Sequence, residues 1–357
     1  MIVLFQRSLA PYRVPLFNCL SDALGGQFAV LLSRRDPAPG RRWTIPWPEV
    51  RFRVEVLPGH RVEAGRVALE LSRGVRSALD ALRPRAIVLG GWDVPACWSA
   101  WAWARRRGVP LISWVESAHG TGRHRGGLSS AVRREFLAAC SAAIVPGAAA
   151  EQFVRELAPA LPCHRAPNSV QGPDLRTIGP PRPAGAALFL GQLSRRKGAD
   201  LVLAAAAELL SVFPGLIMAG DGPLRRETAA LARQLPGLEY AGFVEGEDRR
   251  RIFERSAVVL LPSRMDPWPL VAAEALVGLR PVVLGPGVGS TADLRRAAGD
   301  AVVAMRAATP CELVAAARQA RTRAVPASLR AAFSAEEVAR AMASAIRSAG
   351  SARGAVR

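Results

Sequence analysis

Short apolar runs recur along the chain, with longer helical patterns between most of them. The runs are Ile2–Phe5, Phe28–Leu32, Ala86–Leu89, Leu111–Trp114, Ala143–Val145, Leu188–Leu190, Leu216–Met218, Val258–Leu261 and Pro281–Leu284. Inside them apolar residues follow one another without alternation. A strand apolar on both sides is buried on both faces, which is the habit of parallel sheets covered by helices. Strand and helix taken in turn predict an α/β protein of doubly wound parallel sheets. A last helix is predicted from Phe333 to Ala349, where Ser334 and Glu337 have the spacing of a capping box.

One stretch breaks the rhythm. QGPDLRTIGPPRPAGAA, starting at Gln171, is too dense in Pro and Gly for a regular helix or central strand. It reads as a linker over 171–185. An N-terminal domain over 1–170 and a C-terminal domain over 186–332 follow. The helix over 333–349 is expected to pack back toward the first domain, and the small, basic tail 350–357 to fray. Two domains also suit the length of 357 residues, since a domain holds roughly 100–200. Ligands of doubly wound sheets bind beyond the carboxyl ends of the strands. That places the expected site in a cleft between the two domains.

Composition adds constraints. Forty-eight Lys and Arg against 29 Asp and Glu give a net charge of +19. Such a charge favours anionic partners: phosphorylated small molecules, an anionic membrane surface or nucleic acid. No aromatic-rich basic groove or zinc-finger spacing supports the last, and no nucleic-acid partner is expected. Cys19, Cys97, Cys140, Cys163 and Cys311 are scattered without a C-x-x-C, which fits a reducing compartment rather than a disulfide or zinc scaffold. Residues Ala86 to Ala104 could match a bilayer in length. Gly90, Gly91, Asp93 and Pro95 interrupt them, so they read as strand, turn and apolar helix. The opening MIVLFQRSLAPYR has no basic residue ahead of its apolar run and reads as a first strand, not a signal peptide. A cytoplasmic protein, peripheral at the inner face of the membrane, is the expectation.

Three segments carry candidate chemistry. In ALFLGQLSRRKGADLVL a strand ends at Gly191, and Arg195, Arg196, Lys197 and Gly198 lead into a helix. Free amides at a helix start beside cations make a phosphate site; alone, the segment reads equally as a solvated basic loop. LIMAGDGPL places Gly220 at a second strand-to-helix turn, beside a ligand or simply tight. SRMDPWPLVAAEALVG follows a third strand, with Asp266 on a proline-stiffened loop and Glu274 about one turn into the helix. Taken alone, these are an exposed loop acid and an ordinary helix-surface acid. His119, Glu116 and Arg13 stand on loops after strands of the first domain. A glycine-rich GPGVGS at Gly285–Ser290 opens no clear βαβ unit and gives no dinucleotide fingerprint, which argues against an oxidoreductase.

Taken together, APNSV, GQLSRRKG, AGDGPL, YAGFV and LLPSRMDPWPLVAAEALVGLRPVV occur in an order and spacing that resembles retaining nucleotide-sugar glycosyltransferases of the family-four type, over about residues 165 to 300. APYRVPLFNCLS, GGWDVP and SWVESAHGTGRHRGGLSSAVRREFL resemble a branch acting in surface-polysaccharide synthesis. The resemblance implies the GT-B fold, two Rossmann-like domains facing across a cleft. It implies transfer of a sugar, with retained configuration, from a UDP- or GDP-linked donor to a glycan or lipid-linked acceptor, with no cofactor and no metal. The absence of any D-x-D in the chain agrees with metal independence.

The resemblance also assigns roles. Asp266 meets donor-sugar hydroxyls and Glu274 the ribose. Lys197 holds the diphosphate, with Arg195 or Arg196 as a substitute for the family's loop Arg. Gly191 and Gly220 admit the donor, and Leu270 and Val271 offer backbone amides. His119 faces the reacting groups, and Arg13 and Glu116 the acceptor. Five positions depart from the pattern. Gln192 stands where the family has Arg, and Asp266 is one methylene shorter than the usual Glu. Trp268-Pro269 replaces Phe-Gly, and Gln171 replaces an Asp. These departures motivate a second reading, a non-catalytic sugar-nucleotide binder or assembly partner.

Overall fold

The computed structural model describes residues 1–36, 43–64, 67–118, 127–170, 174–181 and 184–351. The chain divides into two compact units. The first comprises the N-terminal segments up to residue 171 and the chain from Ser334; the second is essentially Gly172–Phe333.

In the first unit, β1 (Ile2–Gln6), β2 (Phe28–Leu32) and β3 (Arg53–Val56) form one wing of a sheet. An antiparallel ribbon, β4 (Gly59–Ala64) with β5 (Val67–Ser72), stands apart. The other wing is β6 (Ala86–Leu89), β7 (Leu111–Trp114), β8 (Ala142–Val145) and β9 (Cys163–Arg165). The order is β3-β2-β1-β6-β7-β8-β9, with all seven strands parallel. Winding reverses between β1 and β6. Both faces are covered. One side buries Leu4, Phe17, Phe28, Phe52 and Trp114 together with Met342 and Ile346 of the helix Ala335–Ser351. The other buries Phe5, Leu79, Leu89 and Trp103. The Ala335–Ser351 helix starts where the Ser334 hydroxyl accepts the Glu337 amide at 3.1 Å, the bond the capping spacing predicted. It packs along the helix Val14–Ala23.

The second unit holds β10 (Ala186–Leu190), β11 (Leu216–Ala219), β12 (Leu238–Gly242), β13 (Ser256–Leu261), β14 (Val282–Leu284) and β15 (Val302–Ala304). Their order is β12-β11-β10-β13-β14-β15, again all parallel. Here winding reverses between β10 and β13. The loops leaving these two strands at their carboxyl ends therefore diverge on either side of the switch point, where open α/β sheets bind ligands.

All nine predicted runs are strands. The four other strands of the two parallel sheets, β3, β9, β12 and β15, are their outer edges. An edge strand is covered less completely, so its apolar run is short or broken, as in RVEV, CHR and LEYAG. Two expectations need correction. The proline-rich linker carries one helical turn at Asp174–Thr177. The GPGVGS segment does open a βαβ unit: β14 leads through the helix Thr291–Ala298 into its parallel neighbour β15. Ala86–Ala104 is, as expected, strand β6, a turn, and the helix Pro95–Arg107. Among the described residues no helix is long and apolar enough to cross a membrane.

Candidate functional site

In the second unit three loops leave the carboxyl ends of β10, β11 and β13 and interlock through their backbones. The β10 loop turns at Gly191 and makes one 3-10 turn, Arg195–Lys197, before Gly198. Gly198 has φ +75°, and a Cβ there would stand 2.2 Å from the Pro262 carbonyl oxygen of the β13 loop. Gly220, after β11, has φ +134°, and its Cβ would stand 1.8 Å from the Gly191 oxygen. Only glycine meets both demands at these two turns. The Leu193 amide donates to Asp221 O at 2.9 Å and the Leu224 amide to Leu193 O at 3.0 Å, closing the two loops on one another.

The β10 and β13 loops are joined as firmly. The Arg264 amide donates to Arg196 O at 2.9 Å, and the Arg264 guanidinium donates to Arg195 O at 2.7 Å. The same guanidinium grips Asp200 with two bonds, of 2.7 and 2.9 Å. Arg196 donates to Met265 O at 3.0 Å. The outcome is that Lys197 Nζ meets Asp266 Oδ2 directly. Asp266 is 5% exposed, so the acid read as an exposed loop residue is in fact buried. A buried carboxylate needs a partner, and Lys197 supplies it across the switch point.

Asp266 is also held from below. Its amide donates to Gly287 O and its carbonyl accepts from the Gly289 amide, both at 2.9 Å, in a parallel bridge between Asp266 and Val288. A Cβ on Gly287 would stand 2.0 Å from Arg264 O. GPGVGS is thus the backbone cradle of the Asp266 loop, a role no sequence pattern announced.

Glu274 lies on the helix Leu270–Val277, which starts after Pro269, with Leu270 and Val271 in its first turn. The Ala272 amide donates to Pro269 O at 3.0 Å, whereas the first two amides of a helix, here those of Leu270 and Val271, have no acceptor within it. Glu274 is 3% exposed, so the surface-acid reading is corrected too. Its Oε2 is ion-paired with Arg249, from the helix Gly246–Arg255. Sequence reading missed Arg249. The available signal was its spacing: it lies three and four residues before the buried Ile252 and Phe253, on their face of the helix. The same helix end is tied down by Arg280, 1% exposed, whose guanidinium donates to Gly179 O at 2.5 Å and to Gly278 O and Glu254 O. Burial, reinforced by nearby Arg330, pulls the Arg280 pKa down to about 10, although Glu254 opposes the shift.

In the first unit Arg13 and Glu116 come together. Arg13, 7% exposed, donates to Gln6 Oε1 and Glu116 Oε2, each at 2.6 Å, and its guanidinium lies 4.4 Å from the centre of the Trp114 ring. Burial opposes its charge, but Glu116 and Tyr12 outweigh it and raise the Arg13 pKa. Gln6 ends β1 and Glu116 follows β7, so the cluster sits at the carboxyl edge near this unit's own switch point. Gln6 was not foreseen as a member. His119 and Gln171 lie outside the described residues.

The structure thus brings together Lys197, Asp266, Arg195 and Arg196 on interlocked loops that include Gly191 and Gly220. It places Glu274 with Arg249, and Arg13 with Glu116. Buried carboxylates beside strand ends accept hydroxyl hydrogen bonds, and exposed guanidinium groups and first-turn amides receive anions. Among the described residues no group of three or more His, Cys, Asp or Glu could hold a metal ion.

Two Rossmann-like parallel-sheet units of this topology are the GT-B architecture. Solved structures of that fold align along the whole chain. Sucrose-phosphate synthase from Thermosynechococcus elongatus superposes with a TM-score of 0.66 at 17% identity, over 98% of this chain and 99% of that one. Anabaena HepE, solved in complex with UDP and glucose, gives 0.67 at 13% identity, over 97% and 99%. Residues 185–322, in the second unit, match the family model described as Glycosyl transferases group 1. That unit is therefore similar in sequence to group 1 glycosyl transferases. An uncharacterized glycosyltransferase of Methanocaldococcus jannaschii is 31% identical over 113 residues, 30% of this chain and 29% of that protein. The glycogen synthase of Halorhodospira halophila is 40% identical over 105 residues, 28% of this chain and 22% of that protein. The chain spans less than a third of the length of either relative.

Proposed function

We propose that the protein is a retaining glycosyltransferase that moves a sugar from a UDP- or GDP-linked donor to a glycan or lipid-linked acceptor in polysaccharide synthesis. The observation that carries the proposal is the Lys197–Asp266 pair at the switch point of a group 1 glycosyl transferase domain. In this reading Asp266 accepts donor-sugar hydroxyls. Lys197, released from Asp266 or shared with it, meets the departing diphosphate together with Arg195 and Arg196, and Glu274 takes the ribose. Cationic stabilisation of the leaving diphosphate is the main electrostatic contribution such a site offers, and in this reading neither metal nor cofactor is needed. The bond between the sugar's anomeric carbon and the diphosphate oxygen breaks with its electrons on the diphosphate. The acceptor hydroxyl forms the new bond on the same face and gives up its proton to the departing diphosphate. The Arg13–Glu116 cluster, with His119, serves the acceptor. UDP complexes among structures of this fold support the donor class, and the net charge of +19 supports contact with an anionic membrane.

The test is a screen of UDP- and GDP-sugars for released nucleoside diphosphate with purified protein. Turnover abolished by Asp266→Asn supports the proposal; no turnover with any donor, by a protein that still binds UDP, leaves the non-catalytic binder. That second reading is favoured by Gln192, where the family's loop Arg is missing, and by Pro269, which has no amide proton to offer.

A further inference from the structure

Arg249, Arg250 and Arg251 are consecutive, yet they do different things. Arg250 pairs with Glu247 and Glu254, and Arg251 with Glu247 and Asp248, all on their own helix. Such exposed intrahelical pairs contribute little. Arg249 reaches instead to a different helix and ion-pairs with Glu274, whose side chain is only 4% exposed. The Arg249 side chain is itself 24% exposed. One end of the pair is therefore deep in the unit, and the other reaches solvent beyond the carboxyl end of β12.

A lone buried carboxylate swings and resists burial; a carboxylate pinned at one oxygen by a guanidinium presents its other oxygen in a fixed direction. We infer that Arg249 is a positioning residue for ribose recognition: by fixing Oε2 of Glu274 it presents the remaining carboxylate oxygen to the vicinal diol of the nucleotide. The inference rests on the nucleotide-sugar reading of this unit and adds to it a residue outside the motif segments. A carboxylate oxygen accepts hydroxyl protons, so the diol alone depends on the pair, while the diphosphate depends on the Lys197 loop.

That division gives the test. Calorimetry compares UDP, 2′,3′-dideoxy-UDP and inorganic pyrophosphate on the wild type, Arg249→Leu, Arg249→Lys and Glu274→Gln. Leucine keeps apolar bulk beside Phe253, and lysine keeps the charge. The expected result is that Arg249→Leu weakens UDP by about ten- to a hundredfold, the range of a charge-assisted hydrogen bond. Dideoxy-UDP and pyrophosphate change by less than about threefold, well inside that range. Glu274→Gln repeats the pattern, and Arg249→Lys recovers part of the UDP affinity. A residue that only neutralises a buried acid lowers the melting temperature without touching the preference for the diol. Equal losses for UDP and dideoxy-UDP, or no loss for either, overturn the inference and leave the donor reading standing. A wild type that binds neither UDP nor GDP overturns the donor reading itself.

Discussion

Gly220→Ala is the sharpest probe of the interlocked loops. Two separable penalties meet at this position. The backbone sits at φ +134°, where a side chain is strained, and the new Cβ would lie 1.8 Å from Gly191 O. Conformational strain of this kind costs about 1–3 kcal/mol, and forcing an extra carbon into a closed contact about 1–3 kcal/mol more. The sum is roughly 2–6 kcal/mol, the upper end reached if the β11 loop peels from the β10 loop and the Leu193–Asp221 and Leu193–Leu224 bonds are lost. Gly242→Ala is the control. Gly242 has φ +69°, but its Cβ would meet nothing within 4 Å. It carries strain alone, about 1 kcal/mol for a left-handed residue with free space around it. Urea unfolding followed by far-UV circular dichroism measures both, read on the transition of the second unit. The expected difference between the variants is at least about 1 kcal/mol, the packing penalty that only Gly220→Ala carries. UDP affinity should fall for Gly220→Ala and hold for Gly242→Ala. If the two variants lose equal stability, the close approach of the two loops is not what glycine serves, and the account of the site's scaffold fails.

Further outcomes follow from named contacts. Lys197→Ala leaves Asp266 buried without its cation and costs about 3 kcal/mol; with Asp266→Asn added, the loss is smaller than the sum of the single changes by about 1–2 kcal/mol, and strict additivity in a urea cycle refutes the pairing. Ser334→Ala removes the cap of the final helix and costs about 1 kcal/mol, seen as a lower melting temperature; an unchanged one shows the cap is idle. Arg280→Lys puts the same burial on a residue whose ordinary pKa is about 10.4, and burial lowers it. Just below about pH 10.4 the unfolded chain then holds a proton that the folded one has released, so stability rises with pH there. In the wild type burial lowers the Arg280 pKa to about 10, so the same rise falls above about pH 10, and a variant whose stability is flat relative to it below about pH 10.4 contradicts the burial argument.

The central strands were legible because burial on both faces leaves continuous apolar runs, and the edges were not because it does not. The site shows the same division. Glycine turns and cations at strand ends are local features, so Gly191, Lys197 and Gly220 could be picked from short windows. What a window cannot show is which loop a loop touches. The Lys197–Asp266 contact spans 69 positions, and Arg249 meets a helix beyond the next strand. The burial of both acids follows from those long-range contacts, which is why each looked like an ordinary surface residue. GPGVGS shows the same limit. Its glycines fit the backbone of the Asp266 loop, a long-range contact, and the βαβ unit that it opens into β15 was not expected from the pattern.

The departures at the Asp266 loop have a physical reading in these contacts. Trp268 is 8% exposed, and Pro269 precedes the first residue of the Glu274 helix with φ −70°, a value proline holds without strain. The pair fixes how the chain passes from the Asp266 loop into that helix. The two acids are thereby placed by separate devices: Asp266 by the Gly287–Gly289 backbone and Lys197, Glu274 by its helix and Arg249. Each acid already has a cation. On the proposed reading, a diphosphate at the β10 loop has the exposed Arg195 open to it and draws on Lys197 only by competing with Asp266. Sugar hydroxyls bound to Asp266 would relieve that competition, because they satisfy the carboxylate while Lys197 turns to the diphosphate. The prediction is that the complete nucleotide sugar binds more tightly than the diphosphate or the free sugar alone, since only the complete donor supplies a new partner to both halves of the pair.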